Sequence, residues 1–540
     1  MKADLFIKNV NVYDGSGAKA FPGSLAVKDG KILRVFADRD RDSLFDCDAV
    51  ETVDGEGLDL APGFIDSHSH ADESIGTAPE RLSALRMGVT TELAGQCGHT
   101  SSPYPADVDE KLFRMASGSY QGDHYESFGA MLDDYRELPI GTNQAWFTGH
   151  GALRTWAMGF ANRKASEEEI AEMRTLLERE LREGVVGLST GLAYVPGIYS
   201  DLAELSGISQ ALKAFGGIYS SHSRSESAGL FDAVEECIGV ARETGARVNI
   251  SHFKACYPDF WERQDRALAM IDEANAEGLQ VTLDAYPYVA VSTTTLSAMP
   301  ARFLDRGAEA FAEMLGSEEI REAVRKEIYE IDSPSWDNAL KHAGADRFLI
   351  VCAKETPEIE GLSYSELAVK LGMEDPFDAV CWALRRNRGD VKDVRFIMTE
   401  ENVEKVLAHP LCTVGSDGIY VKGRDRICHP RAFGTFPRYL GHYVRDRKIL
   451  SREEGIRRIT DMPAARYGLC GKGLIREGHD ADLVLFDYDR IRDGGDFKDP
   501  FIPNTGIERV ILGGKTVLIN NEPTGISCGR FLRRQAGGVK

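Results

Sequence analysis

The feature that most restricts the fold of this chain is a recurrence. Apolar segments of strand character each end in a side chain of metal-ligand type, with helical stretches between them. The run Leu60-Ala61-Pro62-Gly63-Phe64-Ile65-Asp66 leads into Ser67-His68-Ser69-His70; segment 89–96 leads into Cys97, 217–221 into His222, 247–251 into His252 and 411–416 into Asp417. Helical periodicity occupies 167–183, 203–215, 228–244 and 265–277, which makes repeated β-α units. Functional residues gathered at strand C-termini mark the active-site face of a (β/α)8 barrel. Eight strands are expected, at about 64–70, 89–96, 144–149, 185–191, 217–223, 247–253, 280–286 and 411–417.

His68 and His70 carry their own geometric argument. Alternate residues of a strand share a face, so two histidines two apart present both imidazoles to one point. Such a pair is weak by itself, but the other strand ends supply Cys97, His222, His252 and Asp417. A thiolate with two neutral imidazoles is a good zinc set that leaves one position open for chemistry. Cys97, His222 and His252 are the expected tight-site ligands. His68 and His70, bridged by Cys97, form a second, weaker site. The expectation is therefore a metal-dependent hydrolase with zinc as cofactor, in which Asp417 is the catalytic acid and base.

With 540 residues and 43% hydrophobic content, the chain exceeds one minimal domain. The strand-turn patterns in 3–60 and again in 481–487 and 507–515 imply a small β-sandwich assembled from both termini: 1–60 and 471–540 flanking a barrel over 61–470. The stretch from about 290 to 410 is too long for a βα connection. It reads as an insertion at the barrel rim with helices at 308–315, 320–331, 364–371 and 376–386. The fold class is thus α/β, a TIM-like barrel with a terminal β-sandwich and a long insertion.

The net charge of −21 argues against nucleic acid or an anionic membrane as partner. No signal-peptide pattern and no apolar run of about 20 residues occurs, so a cytoplasmic location is expected. Ten cysteines without a CxxC suit a reducing compartment. Nine of them, Cys237, Cys352 and Cys381 included, read as small buried hydrophobes. Cys97 stands apart in the glycine-flanked turn Ala94-Gly95-Gln96-Cys97-Gly98-His99. The sequence sets no oligomeric state.

Taken together, Pro62 to His70, Gly149-His150-Gly151-Ala152-Leu153-Arg154, Gly187 to Gly197, Ile250-Ser251-His252-Phe253-Lys254, Asp284-Ala285-Tyr286-Pro287-Tyr288, Gly415-Ser416-Asp417-Gly418 and His429 to Arg438 resemble the amidohydrolase superfamily, and within it the D-aminoacylase (N-acyl-D-amino-acid deacylase) family. The resemblance spans nearly the whole chain. Many superfamily members place a carboxylated lysine on the fourth strand, whereas this family uses a cysteine after the second; here Val185-Val186-Gly187-Leu188-Ser189-Thr190 has no lysine and Cys97 is in place. The resemblance implies zinc-dependent hydrolysis of small N-acyl-D-amino acids, with the substrate carboxylate held by Tyr194, Lys254 and Arg431, and Tyr286 as a further substrate-binding residue. Arg431 suits a two-donor grip on a carboxylate. The D configuration rests on the resemblance alone. The loop between Asp417 and His429, with Lys422, Arg424 and Arg426, is longer and more basic than the family leads one to expect, and His99 stands where the family carries an apolar residue. Arg302 and Arg306 of the insertion read as surface arginines. Two other readings are a cyclic-amide hydrolase of the dihydroorotase or hydantoinase kind, disfavoured by the absent lysine, and a non-catalytic dihydropyrimidinase-like scaffold, which loss of the ligands would mark.

Overall fold

The computed structural model describes residues 2–37, 47–108, 124–331, 336–420, 428–535 and 538–539. Lys422, Arg424 and Arg426 lie outside the described residues. Eight short parallel strands form the centre: β1 Phe64–Asp66, β2 Val89–Ala94, β3 in two pieces (Asn143–Trp146 and Thr148–Gly149), β4 Gly187–Gly191, β5 Ile218–His222, β6 Arg247–Ile250, β7 Val281–Ala285 and β8 Cys412–Val414. They fall where the alternation of apolar segments and helical stretches places them, and all but the first residue of β6 and the second of β7 are buried. Burial on both faces explains why they read as continuous apolar runs rather than alternating ones.

Neighbours pair in order from β1 to β3 and from β3 to β8. The ring closes between β8 and β1. The Ser67 amide donates to the Val414 carbonyl at 3.3 Å and the Asp417 amide to the His68 carbonyl at 2.7 Å. The molecule is therefore a (β/α)8 barrel. Arg466, from the helix Asp461–Tyr467, donates to Asn249 Oδ1, the Leu283 carbonyl and Thr413 Oγ1 at 3.2, 2.8 and 2.8 Å, tying β6, β7 and β8 together.

The intervening helices have well-defined ends. Helix α1, Glu167–Glu183, starts in a capping box between Ser166 and Glu169; α2, Leu202–Phe215, starts on Asp201, and both it and α3, Leu230–Thr244, stop at left-handed glycines, Gly216 and Gly245. These turns aim each following strand back into the barrel.

Strands from both ends of the chain share one nine-stranded sheet. Asp59–Pro62 pairs antiparallel with Leu483–Phe486, and Lys2–Val12 pairs along one edge with Phe21–Lys28 and along the other with Asp48–Asp54 and then Asp59–Pro62. Its apolar side encloses Leu5, Ile7, Val12, Leu25, Leu483 and Ile511.

Segment 290–396 contains more than helices. Ala290–Thr294, Lys392–Phe396 and Phe348–Cys352 form an antiparallel sheet in that spatial order. The accompanying helices, Ala308–Met314, Glu318–Glu330, Tyr364–Leu371 and Pro376–Arg386, pack round their own core of Phe311, Val324, Ile328, Phe348 and Phe377. Of the ten cysteines, Cys97, Cys237, Cys256, Cys381 and Cys412 are buried, and Cys47, Cys352, Cys428, Cys470 and Cys528 are half-buried. That corrects the expectation that nine would be core residues: Cys352, for example, ends a strand of the insertion sheet rather than facing its core. Among the described residues no helix is long and apolar enough to cross a membrane.

Gly415 is required where β8 meets β1. A Cβ there would lie 2.3 Å from His68 Cβ and 2.7 Å from its amide nitrogen. Gly415→Ala is therefore expected to destabilise the protein by about 1–3 kcal/mol, read as a lower denaturant midpoint. An unchanged midpoint would mean that β8 approaches His68 less closely than this.

Candidate functional site

The candidate metal ligands and Asp417 lie at or just beyond the C-terminal ends of barrel strands, whereas Arg431 opens the helix Arg431–Arg438. Cys97 follows β2, at the centre of the group. Its Sγ lies 3.4 Å from His68 Nε2 and 3.5 Å from His252 Nε2. Two sets share it: His68, His70, Cys97 and Asp417, and Cys97, His222 and His252, with ligand atoms within each set all inside 4.8 Å of one another. These are the two groups expected from the sequence, except that Asp417 joins the first. All six residues are buried.

The backbone is forced to put them there. Cys97, His252 and Asp417 have φ of 57°, 35° and 49°, a left-handed conformation costly for residues with a Cβ. At His252 the amide donates to Asp284 Oδ1 at 2.7 Å, and the Asp417 amide bond to His68 holds the eighth strand end. Next to Cys97, Gly98 at φ 76° passes so close to β4 that a Cβ would meet the Gly191 nitrogen at 2.6 Å.

Carboxylates behind the imidazoles orient them. His68 Nδ1 is 3.2 Å from Asp284 Oδ1, and His252 Nδ1 is 3.0 Å from Glu226 Oε1. With these nitrogens turned to carboxylates, Nε2 of each ring faces Cys97; at His252 the Lys254 ammonium lies 3.0 Å from Nδ1 as well. Asp66 Oδ1 accepts the amides of His68 and Ser416 at 3.1 and 2.8 Å, binding β1 to β8.

The electrostatics follow. Burial pushes the Cys97 thiol up, but the charges of His68 and His252 and hydrogen bonds from His222 and His252 draw it well below the usual thiol range. Burial lowers His68, yet Asp284 and Cys97 outweigh it and raise it to about 10. Asp417 is likewise penalised by burial, and the Arg431 guanidinium and the His70 hydrogen bond hold it well below the usual carboxylate range. A cluster this rich in negative groups binds cations, whether protons or a metal. The donor set fits zinc: one thiolate and several imidazole nitrogens. His222 Nδ1 is in addition buried without a hydrogen-bond partner among the described residues.

Asp417 lies between the two halves of the site. Oδ1 is 3.0 Å from His70 Nε2 and 3.6 Å from His68 Nε2, while Oδ2 is 2.7 Å from Arg431 Nη1. Arg431 also donates through Nη2 to the Ser292 carbonyl at 3.2 Å and stacks 4.8 Å over Tyr286. Lys254 is paired with Glu226 and 5.5 Å from the Tyr286 ring, so its charge is already balanced. The Tyr194 hydroxyl is 3.1 Å from Thr293 Oγ1, and its ring is 4.7 Å from His222 and 5.5 Å from His99. His99 thus lies at the rim, beside Tyr194. Arg302 is exposed and paired with Glu327, and Arg306 is exposed.

Asp66, Asp284, Glu226 and the insertion strand Ala290–Thr294 were not anticipated. For Asp284 a signal was available, an aspartate in an otherwise apolar strand. Glu226 follows His222 by four residues in a loop, a spacing with no periodic meaning.

The amidohydrolase family model matches residues 51–518. The chain is 32% identical over 540 residues to a D-aminoacylase of Alcaligenes xylosoxydans xylosoxydans, covering 99% of this chain and 98% of that protein. It is 33% identical over 526 residues to an N-acyl-D-aspartate deacylase of the same organism, covering 96% and 92%. A crystal structure of an N-acyl-D-glutamate deacylase from Bordetella bronchiseptica, complexed with zinc and a phosphonate mimic of the tetrahedral intermediate, matches with a TM-score of 0.82 at 28% identity over 99% of this chain and 100% of that one.

Because Cys97 belongs to both ligand sets and supplies their only thiolate, Cys97→Ala is expected to strip bound zinc and abolish activity. Metal analysis of the purified variant decides it; full zinc content would remove Cys97 from the centre.

Proposed function

The chain belongs to the amidohydrolase family, in its D-aminoacylase group, and from that premise we propose that it hydrolyses the amide bond of N-acyl-D-amino acids, releasing a carboxylate and a free D-amino acid, with zinc held by Cys97, His222 and His252. His68 and His70, with Cys97 as bridge, offer a second and weaker site. The observation that carries this reading is the shared Cys97 sulfur, 3.4 Å and 3.5 Å from two imidazole nitrogens with Asp417 beside them. Strand β4 offers Leu188, Ser189 and Thr190 and no lysine, which speaks against the cyclic-amide reading. Ten cysteines scattered without a CxxC suit a reducing, cytoplasmic location.

Zinc bound there would supply Lewis acidity toward the amide carbonyl and lower the pKa of water. The residues do the rest. Asp417 Oδ2 is engaged by Arg431, so Oδ1, which points at the two histidines, is the oxygen placed to receive the proton of the attacking water. The water oxygen bonds to the carbonyl carbon, the C–N bond breaks, and the same Oδ1 returns the proton to the leaving nitrogen. Ionised by its arginine and hydrogen-bonded to His70, Asp417 begins the cycle in the form that accepts a proton.

Arg431 spends two of its five N–H donors on Asp417 and Ser292. The remaining donors would face the substrate carboxylate, beside Tyr286 and Tyr194. Lys254, neutralised by Glu226, contributes less than an unpaired cation would. Arg431 in this reading aligns base and substrate together, which an ammonium cannot do.

Asp417→Asn is expected to retain the zinc held by Cys97, His222 and His252 while kcat falls by about 10²–10⁴. A loss below about tenfold would place the base elsewhere. Among substrates, an N-acetyl-D-amino acid should be hydrolysed far faster than its L enantiomer or its methyl ester, and Arg431→Lys should not restore the loss caused by Arg431→Ala. Equal kcat/KM for acid and ester would overturn the carboxylate grip.

A further inference from the structure

We propose that Glu226 is a positioning residue for the metal ligand His252, and that Asp337 of the insertion holds it in place, so that the inserted segment reaches the metal centre through a continuous chain of hydrogen bonds. The inference rests on the reading of Cys97, His222 and His252 as metal ligands.

Glu226 lies in the loop after β5, four residues beyond His222. Its Oε1 is 3.0 Å from His252 Nδ1, and Lys254 Nζ, paired with that same carboxylate, lies 3.0 Å from the same ring nitrogen. The ring so held presents Nε2 to the Cys97 side, 3.5 Å from Sγ. The same carboxylate pairs with Lys254, and its side chain is 12% exposed. A glutamate in a loop has many rotamers, so something must hold this one.

Asp337 does so from across the domain boundary. Its Oδ2 accepts the Glu226 amide at 2.8 Å, and its Oδ1 accepts the Ser225 hydroxyl at 2.6 Å and the Ser227 hydroxyl. Three consecutive residues are thus gathered on one carboxylate. From the other side, the Cys256 amide donates to the Glu226 carbonyl at 2.7 Å. Elsewhere the loop is braced only at its two ends among the described residues, by Arg224 on the Ile198 and Ser200 carbonyls and by Arg263 on the Ala228 carbonyl, and helix α3 begins only at Leu230. Metal-ligating histidines depend on the acceptor behind the ring, and loss of such an acceptor typically costs about 10–100-fold in metal affinity.

The test is titration of the full-length apoprotein with Co²⁺, read by the thiolate-to-cobalt charge-transfer band and the visible ligand-field bands. In the wild type the charge-transfer band should appear and should vanish in Cys97→Ala; a wild type without a Cys97-dependent band would overturn the metal reading and this inference with it. Given that band, Glu226→Ala is expected to weaken Co²⁺ by about 10–100-fold and to change the ligand-field spectrum. Glu226→Gln keeps the shape and an acceptor, and should recover much of the affinity, which a merely structural loss would not permit. Asp337→Ala should weaken Co²⁺ in the same direction, and the double variant Glu226→Ala/Asp337→Ala should be no weaker than Glu226→Ala alone. Affinity within twofold of wild type in both Glu226 variants would overturn the positioning role. Full additivity of the two alanine variants would overturn the link to the insertion. Far-UV circular dichroism of each metal-free variant confirms that the comparison is made between folded proteins.

Discussion

Everything at the C-terminal face of this barrel is organised round one buried sulfur. A single thiolate can serve two sets of imidazoles at once, and at Cys97 it is surrounded by His68, His70, His222 and His252 with Asp417 alongside. Burying such a thiolate is costly unless positive charge lies beside it, and the same attraction raises the pKa of His68 and His70 against the opposing effect of burial. The backbone also yields to it. Left-handed conformations at Cys97, His252 and Asp417 cost roughly 1–3 kcal/mol each. They persist because β1, β6, β7 and β8 are cross-linked behind them by Asp66 and Asp284.

Those carboxylates act on two levels. Asp284 accepts the His252 amide and Asn249 Nδ2 while standing behind the His68 ring. One side chain thereby sets the strand end, the neighbouring strand and the orientation of an imidazole. Asp66 performs the same joining between β1 and β8, the seam where the ring closes. Barrel closure and site assembly are therefore one event, and a residue such as Gly415, which allows the seam to approach His68, belongs to both.

The insertion bonds to side chains round Asp417. Its first strand gives the Ser292 carbonyl to Arg431, the Thr293 hydroxyl to Tyr194 and the Ala290 carbonyl to His429. His429 Nδ1 in turn accepts the Arg431 amide at 3.0 Å. Arg431 is thus placed by three partners before a substrate arrives, and its guanidinium lies against Asp417 rather than standing free. In three dimensions the arginine that the motif offers for a carboxylate grip is already bonded to a carboxylate of the protein itself.

By itself the sequence determined the β-α alternation, the eight strand positions and the placement of His68, Cys97, His222, His252 and Asp417 at strand ends, because side-chain periodicity and the apolar runs of buried strands are local properties. The spacing of His68 and His70 reads as strand alternation, but strand β1 ends at Asp66, so the turn beyond it brings the two imidazoles together. The tertiary structure alone decided which charges meet. Glu226 reaches His252 and Asp337 reaches Glu226 across 26 and 111 residues of chain, distances over which no periodicity carries information. It also decided that Lys254 is spent on Glu226, that Arg431 is shared with Asp417, and that the insertion contains a sheet as well as helices. Long-range hydrogen bonds and ion pairs depend on the path of the whole backbone, and only the closed barrel with its insertion seated above it brings those partners within reach.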